Sequence, residues 1–389
     1  MPRPLALVDA TPMQSEHRLR GVGTYTRHLC EALARLAPDE VRFVAEARGL
    51  DLLPPAVRAR AVTGFRPHQP AQLYWLANEW FLRRAAARVR PLVFHATDFN
   101  GVIRPAGGRL VATLYDLTWY KQRPQAAGLS ARLSDLRWQV YYGQKLPSAH
   151  HLVAISESAR QDAIGLLGIP AVGITTVPLG VDAARFQPGR GQGAYAGTSP
   201  YLLFVGSAEP QKNLARVLRA FAAVATTLHP TRLCIAGPWP TEAADALCAQ
   251  SRALGIEPQV QVLGFVPAPD LASLYANALA LVFPSLEEGF GLPVVEAMSC
   301  GTPVLTSDRG ALAETSGGAA LAVDPTDEAA LAAAMARIAT DDPLRESLAK
   351  SGQVRAKAFQ WDTLAARTLN IYRQCAAGGL EASPAASAS

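Results

Sequence analysis

Two glutamates bracket a glycine-rich string: Pro284-Ser-Leu-Glu-Glu288-Gly-Phe-Gly-Leu-Pro-Val-Val-Glu296. A carboxylate can accept two hydrogen bonds from a vicinal diol, as on a ribose or a hexose. Gly289 and Gly291 let a ligand approach backbone N–H groups closely. Pro293 suits the first turn of a helix, where its missing N–H costs nothing. The start of such a helix offers free amides and a positive dipole end to an anion. With Glu288 in the loop and Glu296 about one turn into the helix, both carboxylates can face one cavity. Glu288, Gly289, Phe290, Gly291, Leu292 and Glu296 together read as a sugar-nucleotide pocket. The plain alternative is a tight strand-to-helix turn without a ligand.

These residues need a strand before them and a helix after them, and the chain supplies both. Ala280–Phe283 is apolar and strand-like, and a helix is expected from about Pro293. The same alternation runs through residues 200–306. Strands are expected at Tyr201–Val205, Leu233–Ala236, Val260–Leu263 and Pro303–Thr306. Helices are expected at Leu214–Leu228, Thr241–Leu254 and Pro269–Ala276. The first half shows a looser version. Strands are expected at Pro4–Asp9, Val41–Ala45, Leu92–His95, Leu110–Leu114 and His151–Ile155, and helices at Gly21–Leu36 and Gln72–Arg88. Strand–helix alternation predicts a parallel sheet in each half. The Gly/Pro-rich stretch 187–200 is the best linker. The expected organisation is therefore an α/β chain with two Rossmann-like, doubly wound domains facing a central cleft. The first spans 1–185, a linker 186–199, and the second 200–360. Ligands of open α/β sheets bind at the carboxyl ends of the strands. Residues 377–389 are small and polar and read as a disordered tail.

Composition narrows the classes. The chain has 389 residues, 49% hydrophobic and 18% charged, enough for two cores. Its apolar runs are too short to span a bilayer, and its start is too short for a signal peptide. Five scattered cysteines without C-x-x-C argue against a disulfide framework or structural zinc. A cytoplasmic protein is expected. Residues 1–185 hold 23 Lys+Arg against 14 Asp+Glu, and the remainder 14 against 18. A basic first half suggests an anionic partner there.

The E-x7-E spacing of Glu288 and Glu296 resembles the retaining GT-B glycosyltransferases of family 4, the group 1 glycosyl transferases. The resemblance extends to Leu203-Phe-Val-Gly206-Ser207-Ala-Glu209-Pro-Gln211-Lys212-Asn213, to Gly264-Phe-Val266 with Leu274-Tyr275, and to Gly301-Thr-Pro-Val, Glu314 and Gly317-Gly-Ala-Ala. In the first half Gly21-Val-Gly23-Thr-Tyr25, Ala154-Ile-Ser156-Glu157-Ser and Pro178-Leu-Gly180-Val-Asp182 also fit. The resemblance implies glycosyl transfer with retention. Lys212 would hold the donor diphosphate, whose charge grows as the glycosidic bond breaks. Glu288 would contact the hexose and Glu296 the ribose. Backbone amides of Phe290, Gly291 and Leu292 would contact sugar and phosphate, with Gly206 and Ser207 beside them and the Val266 backbone at the base. Gly21 and Gly23 would border the phosphates and the acceptor. It implies further that helix 361–376 crosses back to the first domain. The donor most resembled is GDP-mannose. No D-x-D occurs, so no metal and no further cofactor are expected.

Two features depart from the pattern. The second cation usual in the phosphate loop is replaced by Gln211 and Ser207, with Arg216 or Arg309 as substitutes. The customary His-Asp after the fifth strand reads Tyr115-Asp116. Tyr115 can hydrogen-bond a sugar but does not titrate near pH 7. His95 is a second cleft candidate.

A nicotinamide-binding fold is disfavoured, because Gly21-x-Gly23 lies too far from its strand and Thr26 replaces the third glycine. A non-catalytic nucleotide-sugar binder is the alternative reading. No basic-aromatic motif supports nucleic acid. For the acceptor, a saccharide or a lipid-linked saccharide is expected. Tyr74, Trp75, Trp80 and Phe81 with Arg83, Arg84, Arg88 and Arg90 suggest peripheral contact with an anionic membrane. The stretch Leu129–Leu146, with Arg132, Arg137, Trp138 and Lys145, is a candidate acceptor side.

Overall fold

The computed structural model describes residues 3–66, 74–105, 107–122, 129–189, 194–195 and 199–379. Linker residues 190–193 and 196–198, the tail from 380 and the expected helix start at Gln72 lie outside them. The chain divides into two compact units, Met1–Gly180 with Trp361–Ser389, and Val181–Gln360.

In the first unit the strands are β1 (Ala6–Asp9), β2 (Val41–Glu46), β3 (Ala61–Gly64), β4 (Val93–Ala96), β5 (Arg109–Leu114), β6 (His151–Ala154) and β7 (Ile174–Thr176). They form a parallel sheet in the order β3-β2-β1-β4-β5-β6-β7. Helices cover both faces, so the central strands are buried on both sides and read as unbroken apolar runs. Helix Gly21–Leu36 buries Tyr25, Leu29, Cys30 and Leu33. The C-terminal helix Trp361–Ala376 packs beside it and buries Leu364, Leu369 and Tyr372. Its docking is completed by Arg35 with Asp362 and by Arg373 with Glu40 at 2.8 Å. The first unit ends at Gly180, short of the expected residue 185. A side chain there would meet the Trp361 backbone nitrogen at 2.4 Å, so only glycine fits.

The second unit has β8 (Tyr201–Val205), β9 (Arg232–Ala236), β10 (Val260–Gly264), β11 (Ala280–Phe283), β12 (Val304–Ser307) and β13 (Leu321–Val323). Its parallel order is β10-β9-β8-β11-β12-β13. The core lies between Leu202, Phe204 and Ile235 of the strands and Val217, Leu218 and Phe221 of helix Leu214–Leu228. Strand order reverses between β8 and β11. That switch point leaves a crevice beyond the strand ends, because the two following loops part in opposite directions.

Candidate functional site

The loops leaving β8 and β11 carry the charged residues singled out in the sequence. After β8, Gly206–Glu209 leads through a short turn to Lys212, and helix Leu214–Leu228 follows. After β11, Pro284–Gly291 carries Glu288, and helix Leu292–Ser299 follows. The Leu286 N–H donates to the Gln211 carbonyl at 2.8 Å, stitching the loops together. Lys212 Nζ then reaches Glu288 Oε1 at 2.7 Å and sits 5.5 Å from the Phe283 ring centroid. The lysine and glutamate expected to serve one site thus meet.

Asn213 holds this junction. It is buried, with a left-handed backbone at φ 63°, a conformation that asparagine tolerates better than most residues. Its Nδ2 donates to the Pro284 carbonyl at 3.0 Å and the Pro325 carbonyl at 2.7 Å. Arg216 donates to Asn213 Oδ1 and, at 3.2 Å, to the Pro325 carbonyl. Arg309 pairs with Asp308 at 3.5 Å and with Asp324. In this arrangement Arg216 braces Asn213 and Arg309 pairs with Asp324. Ser207 Oγ and Gln211 Nε2 both donate to Glu209, at 2.9 and 3.1 Å. The Gly206 N–H is spent on the Ala236 carbonyl at 2.9 Å.

The glycine turn has its own constraints. Gly291 has φ 98° and precedes helix Leu292–Ser299 without a side-chain cap. A Cβ there would come within 2.5 Å of Leu312 Cδ2. Phe290 is buried and meets Phe359 edge-on at 5.4 Å, and Gly289 is buried beside it. Leu292 starts the helix, so its N–H has no intrahelical acceptor. Glu296 keeps some exposure, but its carboxyl lies deep. Tyr275 OH donates to its Oε2 at 3.0 Å. Burial pushes the Glu296 carboxyl up to about 7, against the opposing pull of Tyr275 and Arg185. Val266 is buried next to an exposed Phe265.

The first-unit candidates fare differently. His95 is fully buried, at 0% exposure. Its Nδ1 is 2.5 Å from Tyr372 OH and its Nε2 is 2.9 Å from Thr113 Oγ1. Burial drives its pKa down to about 3. The expectation that His95 lines a cleft is therefore corrected: this neutral imidazole ties the C-terminal helix to the sheet. Tyr115 donates its hydroxyl proton to the Thr97 carbonyl at 2.6 Å, and burial raises it well above the usual tyrosine range. Its hydroxyl proton is thus directed at the Thr97 carbonyl. Asp116 Oδ1 accepts the Thr118 N–H at 2.9 Å. Gly23 is buried where a Cβ would meet the His17 carbonyl oxygen at 2.4 Å. Gly21 is exposed at the start of its helix, whose first turn has no side-chain cap.

In the stretch Leu129–Leu146, Arg132 has its side chain outside the described residues. Arg137 lies over the Phe99 ring at 4.9 Å, and Lys145 pairs with Glu79 at 2.7 Å. Trp138 stacks near-parallel to Tyr142 and Trp119 at 5.6 and 5.9 Å. Among the described residues no helix is long and apolar enough to cross a membrane.

The sequence reading overlooked how Asn213 is used, and it overlooked Thr315 altogether. An asparagine directly before an apolar-periodic run is a visible helix-start signal; Thr315 carries none.

Residues 19–185 match the family model "Glycosyltransferase Family 4", and residues 189–355 match "Glycosyl transferases group 1". The chain is 34% identical over 386 residues to O-antigen chain mannosyltransferase B of Escherichia coli, covering 92% of this chain and 97% of that one. It is 28% identical to the MMP alpha-(1->4)-mannosyltransferase of Mycolicibacterium hassiacum, covering 94% and 97%. Sucrose-phosphate synthase from Thermosynechococcus elongatus superposes with a TM-score of 0.79 at 22% identity, covering 97% and 100%. That likeness gives the two parallel-sheet units the GT-B architecture. The chain belongs to the family 4 glycosyltransferases and is a glycosyltransferase enzyme.

Proposed function

We propose that the protein transfers mannose from GDP-mannose to a saccharide or lipid-linked saccharide, with retention at the anomeric carbon and without a metal ion. The observation that carries this reading is the Lys212–Glu288 pair at 2.7 Å, held across the switch point beside the uncapped helix at Leu292. Without a donor Glu288 serves as the counter-ion of Lys212. An incoming diphosphate takes over the lysine, and Glu288 is released to accept hydrogen bonds from hexose hydroxyls. As the glycosidic bond breaks, charge grows on the leaving phosphate. Lys212 and the amides of the Phe290–Leu292 turn stabilise it without rearranging. Glu296 is assigned the ribose hydroxyls. The mannose assignment is supported by the two relatives named as mannosyltransferases.

The test is a thermal melt with GDP, UDP and ADP and their sugar conjugates, each with and without EDTA. A ligand at about 100 times its Kd stabilises by roughly 2.7 kcal/mol. A shift with the guanine pair alone, unchanged by EDTA, is expected. A response to UDP or ADP alone overturns the donor, and a response abolished by EDTA overturns the metal-free site. NMR of the transferred anomeric centre checks retention.

The lipid-linked acceptor is supported by helix Tyr74–Val89. Phe81 and Leu82 are in the core, while Leu76 and Trp80 are 47% and 50% exposed. Arg83, Arg84 and Arg88 share that exposed face. Apolar side chains flanked by cations suit an anionic bilayer surface. Sedimentation with anionic but not neutral liposomes at low salt is expected; no sedimentation with either removes the membrane contact.

A further inference from the structure

We infer that Thr315 is a positioning residue for the donor, holding the Phe290–Gly291 peptide so that the Gly291 N–H points toward the bound diphosphate. This rests on the proposed reading, in which the amides of Phe290–Leu292 hold that group.

Thr315 is fully buried on helix Gly310–Ser316, behind the glycine turn. Its hydroxyl donates to the Phe290 carbonyl at 2.7 Å. That carbonyl and the Gly291 N–H belong to one planar trans peptide and point in opposite directions. Anchoring the oxygen on Thr315 therefore turns the N–H away from helix Gly310–Ser316. Nothing in Gly291 itself makes this choice. Glycine populates positive and negative φ about equally, so rotation of this peptide would reverse the N–H at little intrinsic cost. The observed φ is 98°.

The anchor is itself braced. Arg355 Nε donates to the Thr315 carbonyl at 2.9 Å, and Nη2 to the Glu314 carbonyl at 2.8 Å. The Arg355 guanidinium lies 4.8 Å from the Phe359 ring, which in turn meets Phe290. Leu312 of the same helix fills the space that a side chain at 291 would need. Helix Gly310–Ser316 thus crowds position 291, where the positive φ already favours glycine, and anchors one orientation of its peptide.

The experiment is calorimetric titration of wild type, Thr315→Val and Thr315→Ser with GDP, and with UDP and ADP in parallel, well below each melting temperature. Valine keeps the shape and removes the hydroxyl; serine restores it. Losing one net hydrogen bond is expected to weaken nucleotide affinity about fivefold in Thr315→Val. Serine should return it to within about twofold, and the acceptor KM should stay unchanged in both. A Thr315→Val affinity equal to wild type overturns the inference, as does a Thr315→Ser protein as weak as the valine variant. Wild type that binds none of the three nucleotides overturns the donor reading, and this inference with it.

Discussion

The two units share an architecture but use their polar residues in opposite ways. At the switch point of the second unit, Lys212 and Glu288 meet across two loops, and both side chains keep some exposure. At the strand ends of the first unit, two residues singled out in the sequence are bonded inward. His95 is closed between Tyr372 and Thr113, and Tyr115 is tied to Thr97. A polar residue at the carboxyl end of a strand is therefore no sign of a site by itself. What separates the two cases is whether its partners exhaust it. Mutations that remove donors and acceptors one at a time can break this contrast or sharpen it.

The largest effect is expected at the ion pair. Lys212→Ala should lower transfer by roughly 10²–10³-fold, the usual scale for deleting one charge-stabilising group. Its melting temperature should stay close to wild type, because a partly exposed ion pair adds little net stability. Transfer within a few-fold of wild type would show that the pair is scaffold, as in the first unit. Glu288→Gln sharpens the same point. Transfer should fall, yet nucleoside diphosphate should bind more tightly, because the lysine loses its competing counter-ion. Weaker nucleotide binding in this variant would refute the exchange of partners.

Next in size is His95. Its folded pKa, near 3, lies below the ordinary histidine value. The unfolded chain therefore binds the extra proton between about pH 6.5 and 3. This histidine's contribution to stability is present above pH 6.5 and is lost as pH falls through that window. His95→Gln should destabilise the protein by about 1–3 kcal/mol at pH 7. It should also flatten the acid limb of the melting curve and leave nucleotide affinity unchanged. A changed nucleotide affinity would return His95 to the site.

Glu296 and Asp9 run the opposite way. Burial raises each to about 7, so the folded protein binds more protons between roughly pH 4 and 7. Each contribution is lost as pH rises through that window. Ligand-free melting temperature should therefore gain from Asp9→Asn at pH 8 but not at pH 4. Equal shifts at both pH values would show that Asp9 does not titrate in this range.

How much of this was visible beforehand follows from what a sequence encodes. The central strands and the amphipathic helices were readable because burial demands unbroken apolar runs or a 3.6-residue period; Tyr201–Val205, Leu214–Leu228 and Gly21–Leu36 have the boundaries expected. The peripheral strands Ala61–Gly64, Ile174–Thr176 and Leu321–Val323 were missed. They are three or four residues long and only partly buried, so no such run marks them. Helices Glu328–Thr340 and Asp342–Ala356 also went unread, although Asp327 and Asp341 cap them in the usual way. At the site, the spacing of Lys212, Glu288 and Glu296 was legible because residue type carries the chemistry. Direction was not. That Tyr115 turns inward, or that Thr315 grips a carbonyl, depends on which backbone atom lies opposite.

Tyr115 gives the smallest effect and the finest cut between the two units. Its hydroxyl proton goes to the Thr97 carbonyl, and its ring meets Tyr25 edge-on at 5.7 Å. Tyr115→Phe keeps the ring and deletes one hydrogen bond, which is worth about 1 kcal/mol of stability. If the hydroxyl acts only inward, kcat and the donor KM should stay within about threefold of wild type while the melting temperature falls. If it also accepts a hydrogen bond from the transferred sugar, kcat/KM should drop by tenfold or more, and the first unit would carry a site residue after all. Tyr115→His separates these cases further. An imidazole facing the sugar would give transfer a new pH dependence near 6.5, whereas one enclosed by Thr97 and Tyr25 would stay neutral and leave the profile flat. A flat profile together with an active Tyr115→Phe would leave charge handling entirely to Lys212, Glu288 and the glycine turn between β11 and its helix.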